Sequence, residues 1–211
     1  MKVIREALDH LGYRPVEGAK FYQFVKRLAG SKYVKVDFLG GPLGELRDAS
    51  RVSVDTRRIK PKPGVGLHAH RADEAVAYDL APIRLPFTGK RSDGESASCE
   101  VLIPQAFSYL LMKLYAFRDR KDDSAKEFAQ HHARDIYRIV AMLLEHEYET
   151  VQQLAAQHRH NEHVRQASEI VSRYFVDADS LGVLRMREHP LSSGGLEVAM
   201  FVEIVRELFP S

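Results

Sequence analysis

Hydrophobic positions change their period near the middle of the chain. Ile4, Ala7, Leu8 and Leu11 recur at helical spacing and predict a short amphipathic helix over 3–11, with Gly12 placed to stop it. Residues 21–28 are rich in aromatic and branched side chains and read as a strand. Gly30-Ser31 then makes a turn, and 32–39 reads as a second strand, so the pair predicts a hairpin. Alternation puts Val34, Val36 and Phe38 on one face and Lys35, Asp37 and Leu39 on the other. The stretch 40–66, with Pro42, Pro61 and Pro63, reads as loop. Residues 72–79 read as a short helix or strand, and 84–88 and 98–103 as strands joined by the polar turn 90–94.

From Pro104 onward the pattern is helical. Pro104 suits a first helical position, and Phe107, Leu110, Leu111, Leu114 and Phe117 form an apolar stripe behind it. A charged link, 118–126, leads to a helix expected over 125–146, with Ile136, Ile139, Val140, Leu143 and Leu144 facing a core. Shorter helices are expected over 150–157 and 163–175, then a loop at 192–195 and a final helix over 196–208. Ten of the 13 glycines lie before residue 104, which puts the turns in the first half. The expectation is an α+β protein, with a small sheet over 1–103 and a helical bundle over 104–211.

Composition narrows the classes. With 45% apolar and 28% charged residues in 211, the chain is globular rather than disordered. Its 31 basic and 29 acidic residues leave +2, so bulk charge argues neither for nor against nucleic acid and any basic patch must be local. A lone Cys99 excludes an internal disulfide and a cysteine-based zinc finger. No apolar run approaches the ~20 residues of a membrane span. The N-terminal stretch lacks the pattern of a secretory signal, so a cytoplasmic protein is expected.

Several side chains are candidates for chemistry. Asp37 sits inside the apolar strand VKVDFL, where aspartate is disfavoured. It is either a solvent-facing polar position beside Lys35 or a carboxylate held on a sheet beside a metal-bound phosphate. Lys113 flanks the apolar stripe of its helix, with Tyr109 one turn away, and Asp135 lies at the rim of the next helix's apolar face. The two are candidates to meet, as a plain inter-helix salt bridge or as a phosphate-neutralising lysine oriented by an aspartate. Arg118, Arg120, Lys121, Arg134 and Arg138 add cations near the same helix pair. The ten histidines form no recognised ligand motif, and adjacent His131 and His132 are expected to point in different directions. Cys99 reads as a small packed residue. Asp177 and Asp179 read as a helix-end cap or solvated turn.

The segments VLIPQAFSYLLMKLYAFRDRKDD and HHARDIYRIVAMLL carry a resemblance. A proline-led helix with K-L-x-A (here Lys113 to Ala116), an arginine shortly after (Arg118 or Arg120), and Arg134-Asp135 on the next helix resemble the AbiEii-type nucleotidyltransferases. These are toxin components of abortive-infection and type IV toxin–antitoxin systems. Val36-Asp37-Phe38 and the segment 66–75, GLHAHRADEA, are also similar to members of that group.

The resemblance implies a partial nucleotidyltransferase-like mixed sheet followed by a helical domain. It also implies Mg²⁺, a nucleoside triphosphate, and transfer of a nucleotide to an RNA or protein acceptor. On this footing Asp37 is the metal-side carboxylate, Lys113 binds phosphate with Arg118 and Arg120, and Asp135 supports the site. The family's opening Gly-Ser segment and the D-x-D strand after it have no counterpart here, and those carboxylates are what hold the metals. The expectation is that the chain begins inside the family's catalytic domain, that a partner chain or self-association covers the exposed sheet edge or apolar face, and that an antitoxin is a further partner. The alternative is a catalytically inactive nucleotide- or RNA-binding module of the same ancestry.

Overall fold

A computed structural model of the chain describes residues 1–42, 49–55, 57–91, 93–192 and 195–210. The protein is α+β, and its chain divides into two compact units, Met1–Asp73 and Glu74–Ser211. The boundary falls some thirty residues before the expected 103/104. Ser108, buried on the first long helix, donates its hydroxyl to the Val76 carbonyl at 2.7 Å. Val76 and Ala77 are thereby held in the helical core. The stretch expected as a short helix or strand at 72–79 is instead turn, with Ala77 at φ 59°.

In the first unit, α1 (Lys2–His10) carries an Arg5–Asp9 pair one turn apart and ends at Gly12, whose φ of 79° suits a residue without a Cβ. Strands β1 (Arg14–Pro15), β2 (Gln23–Arg27) and β3 (Tyr33–Asp37) form an antiparallel sheet in that order. The β2–β3 hairpin is the one expected, with Gly30 left-handed in its turn. Phe24, from the buried face of β2, packs with Leu8 and Leu67 in a small core bordered by Tyr13, Phe38 and Val65.

The region expected as loop also holds structure. It contains β4 (Leu39–Gly40), β5 (Val52–Asp55) and β6 (Arg58–Pro61), which join β7 (Ala69–Arg71) in a mixed sheet of order β4-β7-β6-β5. Among the described residues of this sheet, only the β4–β7 pair is parallel. Strands this short carry too few alternating positions for a period of two to show in sequence. Pro42 lies outside any strand, whereas Pro61 closes one, at a position where proline is tolerated.

The second unit opens with a long hairpin, β8 (Ile83–Lys90) against β9 (Ser96–Ile103). Direct pairing places Ile83, Leu85 and Phe87 opposite Ile103, Val101 and Cys99 on one face. Among the described residues no third strand joins this ribbon. Cys99 is consequently exposed, not packed as expected.

Among the described residues six α-helices follow: α2 (Ala106–Arg120), α3 (Gln130–Ala141), α4 (Glu145–Gln157), α5 (Glu162–Tyr174), α6 (Leu181–Glu188) and α7 (Val198–Leu208). Pro104 precedes α2 rather than starting it. Gln105 is the cap, its side-chain oxygen accepting from the Phe107 N–H at 2.7 Å. The five apolar residues expected on α2 are all fully buried. Phe117 meets Phe175 at 5.1 Å between ring centres, Phe175 meets Phe201 at 6.0 Å, and Phe201 meets Tyr137 at 5.4 Å. Burial of each such ring contributes about 2–3 kcal/mol.

The single helix expected over 125–146 is broken twice. A 3₁₀ turn (Ser124–Ala129) precedes α3, with Glu127, Phe128 and Ala129 all left-handed at φ 51°, 50° and 60°. At the other end Met142 leaves helical geometry. Leu144 is the N-cap residue before α4, its N–H held by the Glu147 carboxylate at 2.9 Å, and its side chain is 60% exposed rather than inward. Of the two places expected for Asp177, the structure has the solvated turn: it accepts from the Ser180 hydroxyl at 2.8 Å and the Asp179 N–H at 3.0 Å in the exposed turn ahead of α6. These bonds hold its pKa below the usual carboxylate range. No helix among the described residues is long and apolar enough to cross a membrane.

Candidate functional site

The apolar stripe of α2 fixes that helix against α3, and the rims of the two helices meet where the stripe ends. Lys113 Nζ donates to Asp135 Oδ2 at 2.7 Å, with the lysine 18% and the aspartate 32% exposed. The ammonium also lies 5.2 Å from the centre of the Tyr109 ring, one turn back on α2. A carboxylate on one side and an aromatic face on the other hold the lysine in a defined place with N–H groups left for a further acceptor.

Further along the seam, Arg120 donates from Nη1 to Nε2 of His132 at 2.9 Å. Accepting from arginine makes Nε2 the bare nitrogen, so the ring proton sits on Nδ1, which is buried without a partner. Burial, then the charges of His131, Arg120 and Lys113, push the His132 pKa down to about 3. His131 is also lowered, chiefly by burial, with Asp135 opposing and Lys113 reinforcing the shift. The two histidine rings do not diverge as expected. Their centres are 4.0 Å apart. Both are neutral near pH 7, so the fixed charges of the seam are Lys113, Arg120 and Asp135.

Asp135 also lines a cleft of about 340 Å³. Ile83 and Ile103 from the hairpin base and Ile139 and Leu143 from the α3 end give it apolar walls, while Tyr109, Arg138 and Glu147 add polar groups. That volume and lining suit a small ligand with an apolar body and a charged end. Among the described residues Arg138 makes no ion pair. Arg134, expected among the nearby cations, instead donates to the Leu191 carbonyl at 2.8 Å.

Arg118, expected with Lys113 on nucleotide, turns to α5. Its Nη1 donates to Gln166 Oε1 at 3.1 Å, and its guanidinium stacks 4.3 Å from the Tyr115 ring centre. Lys121 pairs with Asp122. Arg120 is thus the expected nucleotide-binding arginine that does lie on the Lys113 seam. The Tyr115 hydroxyl donates to the same Gln166 oxygen at 3.0 Å and lies 3.1 Å from His163 Nδ1. Burial raises its pKa. Sequence reading did not single out Tyr115, because it looks like one more apolar position of α2.

Asp37 belongs to the first unit. It ends β3 on the solvent face, and its Oδ1 accepts from the Gln23 amide at 2.7 Å across the hairpin. Among the described residues no group of three or more His, Cys, Asp or Glu stands close enough to hold a metal ion. A lone exposed carboxylate already shared with an amide does not fit Mg²⁺, which prefers carboxylates combined with phosphates and waters. The expected role of Asp37 as a metal ligand therefore has no support in its surroundings. Compared with protein-family models, with curated proteins and with solved structures, the chain matches none.

Proposed function

We propose that the protein binds a nucleoside triphosphate in the α2–α3 cleft of its second unit, as a nucleotide-binding module related to nucleotidyltransferases. The carrying observation is the placed Lys113–Asp135 pair beside a small cleft that mixes apolar walls with a free arginine. The base enters among Ile83, Ile103, Ile139 and Leu143, near the Tyr109 ring. The phosphates face Arg138 and Lys113, where charge-assisted hydrogen bonds are strongest. Asp135 keeps the ammonium in place. Neutral His131 and His132 add no competing charge.

Transfer of the nucleotide to an RNA or protein acceptor is the second reading, with an antitoxin or a second copy as further partner and the cytoplasm as its setting. It is favoured by Lys113 and Asp135 meeting as the AbiEii resemblance requires. The test is a titration of the folded protein with each of the four nucleoside triphosphates, followed by incubation with labelled nucleotides, Mg²⁺ and total RNA. Saturable binding that weakens about tenfold or more in Arg138→Ala supports the module. Label transfer lost in Lys113→Ala supports the second reading. Absence of binding by any nucleotide overturns both.

A further inference from the structure

The balanced charge of the whole chain hides a division between its units. Residues 1–73 carry 15 basic and 8 acidic side chains, a net +7, whereas residues 74–211 carry 16 and 21, a net −5. Within the basic unit, several cations are already used. Arg5 pairs with Asp9, Lys60 with Asp55 and Arg71 with Asp73. Those on the solvent face of the three-stranded sheet are not. The register places Arg14, Val25 and Lys35 across that face in one row and Arg27 and Tyr33 in the next. Lys32 stands in the turn beside them. Among the described residues none of Arg14, Arg27, Lys32 and Lys35 makes an ion pair.

Tyr33 is 61% exposed, and among the described residues no side chain stacks on its ring. Strand geometry puts Lys35 two residues on, on the same face, about 7 Å away. A groove of about 400 Å³ runs from Val16 and Val25 past Arg27 and Lys32 to Tyr33 and Lys35. An open aromatic face flanked by unpaired cations on a rigid sheet is the arrangement that stacks an unpaired base while neutralising the phosphates beside it.

We propose that this face of the β1–β2–β3 sheet binds single-stranded RNA. The occupant follows from chemistry. A flat sheet cannot enter the narrow major groove of an RNA duplex, and a tyrosine ring needs a base free of its own stack. The acidic group of the face is Asp37, one of whose oxygens is held by Gln23. Its second oxygen is an acceptor that repels phosphate but suits a hydroxyl donor, which RNA carries at every 2′ position. This surface is independent of the nucleotide cleft, because it lies in the other unit and uses none of its residues.

The test measures fluorescence anisotropy of a labelled twelve-nucleotide single-stranded RNA with the full chain. DNA of the same sequence and the duplex RNA are run alongside. Single-stranded RNA is expected to bind most tightly, with a log–log salt slope of about −3, from four phosphate contacts at about −0.7 each. Tyr33→Ala is expected to weaken binding roughly tenfold or more at unchanged slope. Arg27→Ala with Lys35→Ala flattens the slope to about −1.4. All three positions are exposed, and circular dichroism confirms that the variants fold. Lys113→Ala leaves RNA affinity unchanged, so this surface and the nucleotide cleft fail separately. Equal binding of DNA or duplex RNA, no effect of Tyr33→Ala, or loss of RNA binding in Lys113→Ala overturns the proposal.

Discussion

Lys113 and Asp135 come from consecutive helices, 22 residues apart, and meet through a hydrogen bond of 2.7 Å at partly buried positions. Partial burial sets the worth of the pair between an exposed ion pair, at about 0–1 kcal/mol, and a fully desolvated one. A double-mutant cycle with Lys113→Met and Asp135→Asn, read by denaturant unfolding, should give a coupling of about 1 kcal/mol. Additive single effects would show that the pair does not act as a unit.

His132, bonded to Arg120, is expected to make stability fall on the acid side. The folded state holds His132 neutral, with its pKa pushed down to about 3, against 6.5 when unfolded. Below pH 6.5 the unfolded chain therefore takes up a proton that the folded chain refuses. This contribution is complete above pH 6.5 and is lost as pH falls toward 3, at up to about 1.4 kcal/mol per pH unit. Burial of the ring is the largest cause of the shift; the charges of His131, Arg120 and Lys113 add to it and Asp135 opposes it. His132→Gln, which keeps an acceptor for Arg120, should flatten unfolding free energy against pH between 6.5 and 4. An unchanged pH profile would place the acid sensitivity elsewhere.

Three successive left-handed residues precede α3. Glu127 is exposed with φ 51°, a conformation costing a non-glycine residue about 1–2 kcal/mol. Glu127→Gly should raise stability by up to about 1 kcal/mol, after the larger entropy of the unfolded glycine is offset. Thermal unfolding checks the sign. A fall in Tm would mean that Glu127 makes a compensating interaction.

Gly182 permits the approach of α6 to the aromatic core. A Cβ there would lie 2.4 Å from the Phe175 ring and 2.6 Å from the Tyr174 carbonyl oxygen. Phe175 is fully buried and the carbonyl is backbone, so neither yields cheaply. Gly182→Ala should destabilise by about 1–3 kcal/mol, as overpacked cores do. Tolerance of alanine within a few tenths of a kcal/mol would contradict this packing.

Long periodic elements were legible in the sequence, and short or strained ones were not. The stripe from Phe107 to Phe117 repeats over three turns, so its burial follows from spacing. The β2–β3 hairpin was likewise readable from alternation around Gly30-Ser31. The break before α3 was hidden, because Glu127, Phe128 and Ala129 are not residues that announce a left-handed turn. Helix α6 was hidden by the glycine that its packing requires. At the site, Lys113 and Asp135 were legible because each flanks a stripe. The turning of Arg118 toward Gln166 was not, because it depends on a partner 48 residues away. The charge division was invisible until the unit boundary at Asp73 was known.

The nucleotide cleft is tested most directly by calorimetric titration of one nucleoside triphosphate into wild type, Lys113→Ala and Arg118→Ala. Lys113 is bonded to Asp135, which lines the cleft, and Arg118 is engaged with Gln166 and Tyr115. The expected result is a loss of about tenfold or more in affinity for Lys113→Ala and wild-type affinity for Arg118→Ala. Unchanged binding in Lys113→Ala, or an equal loss in both variants, would contradict the account.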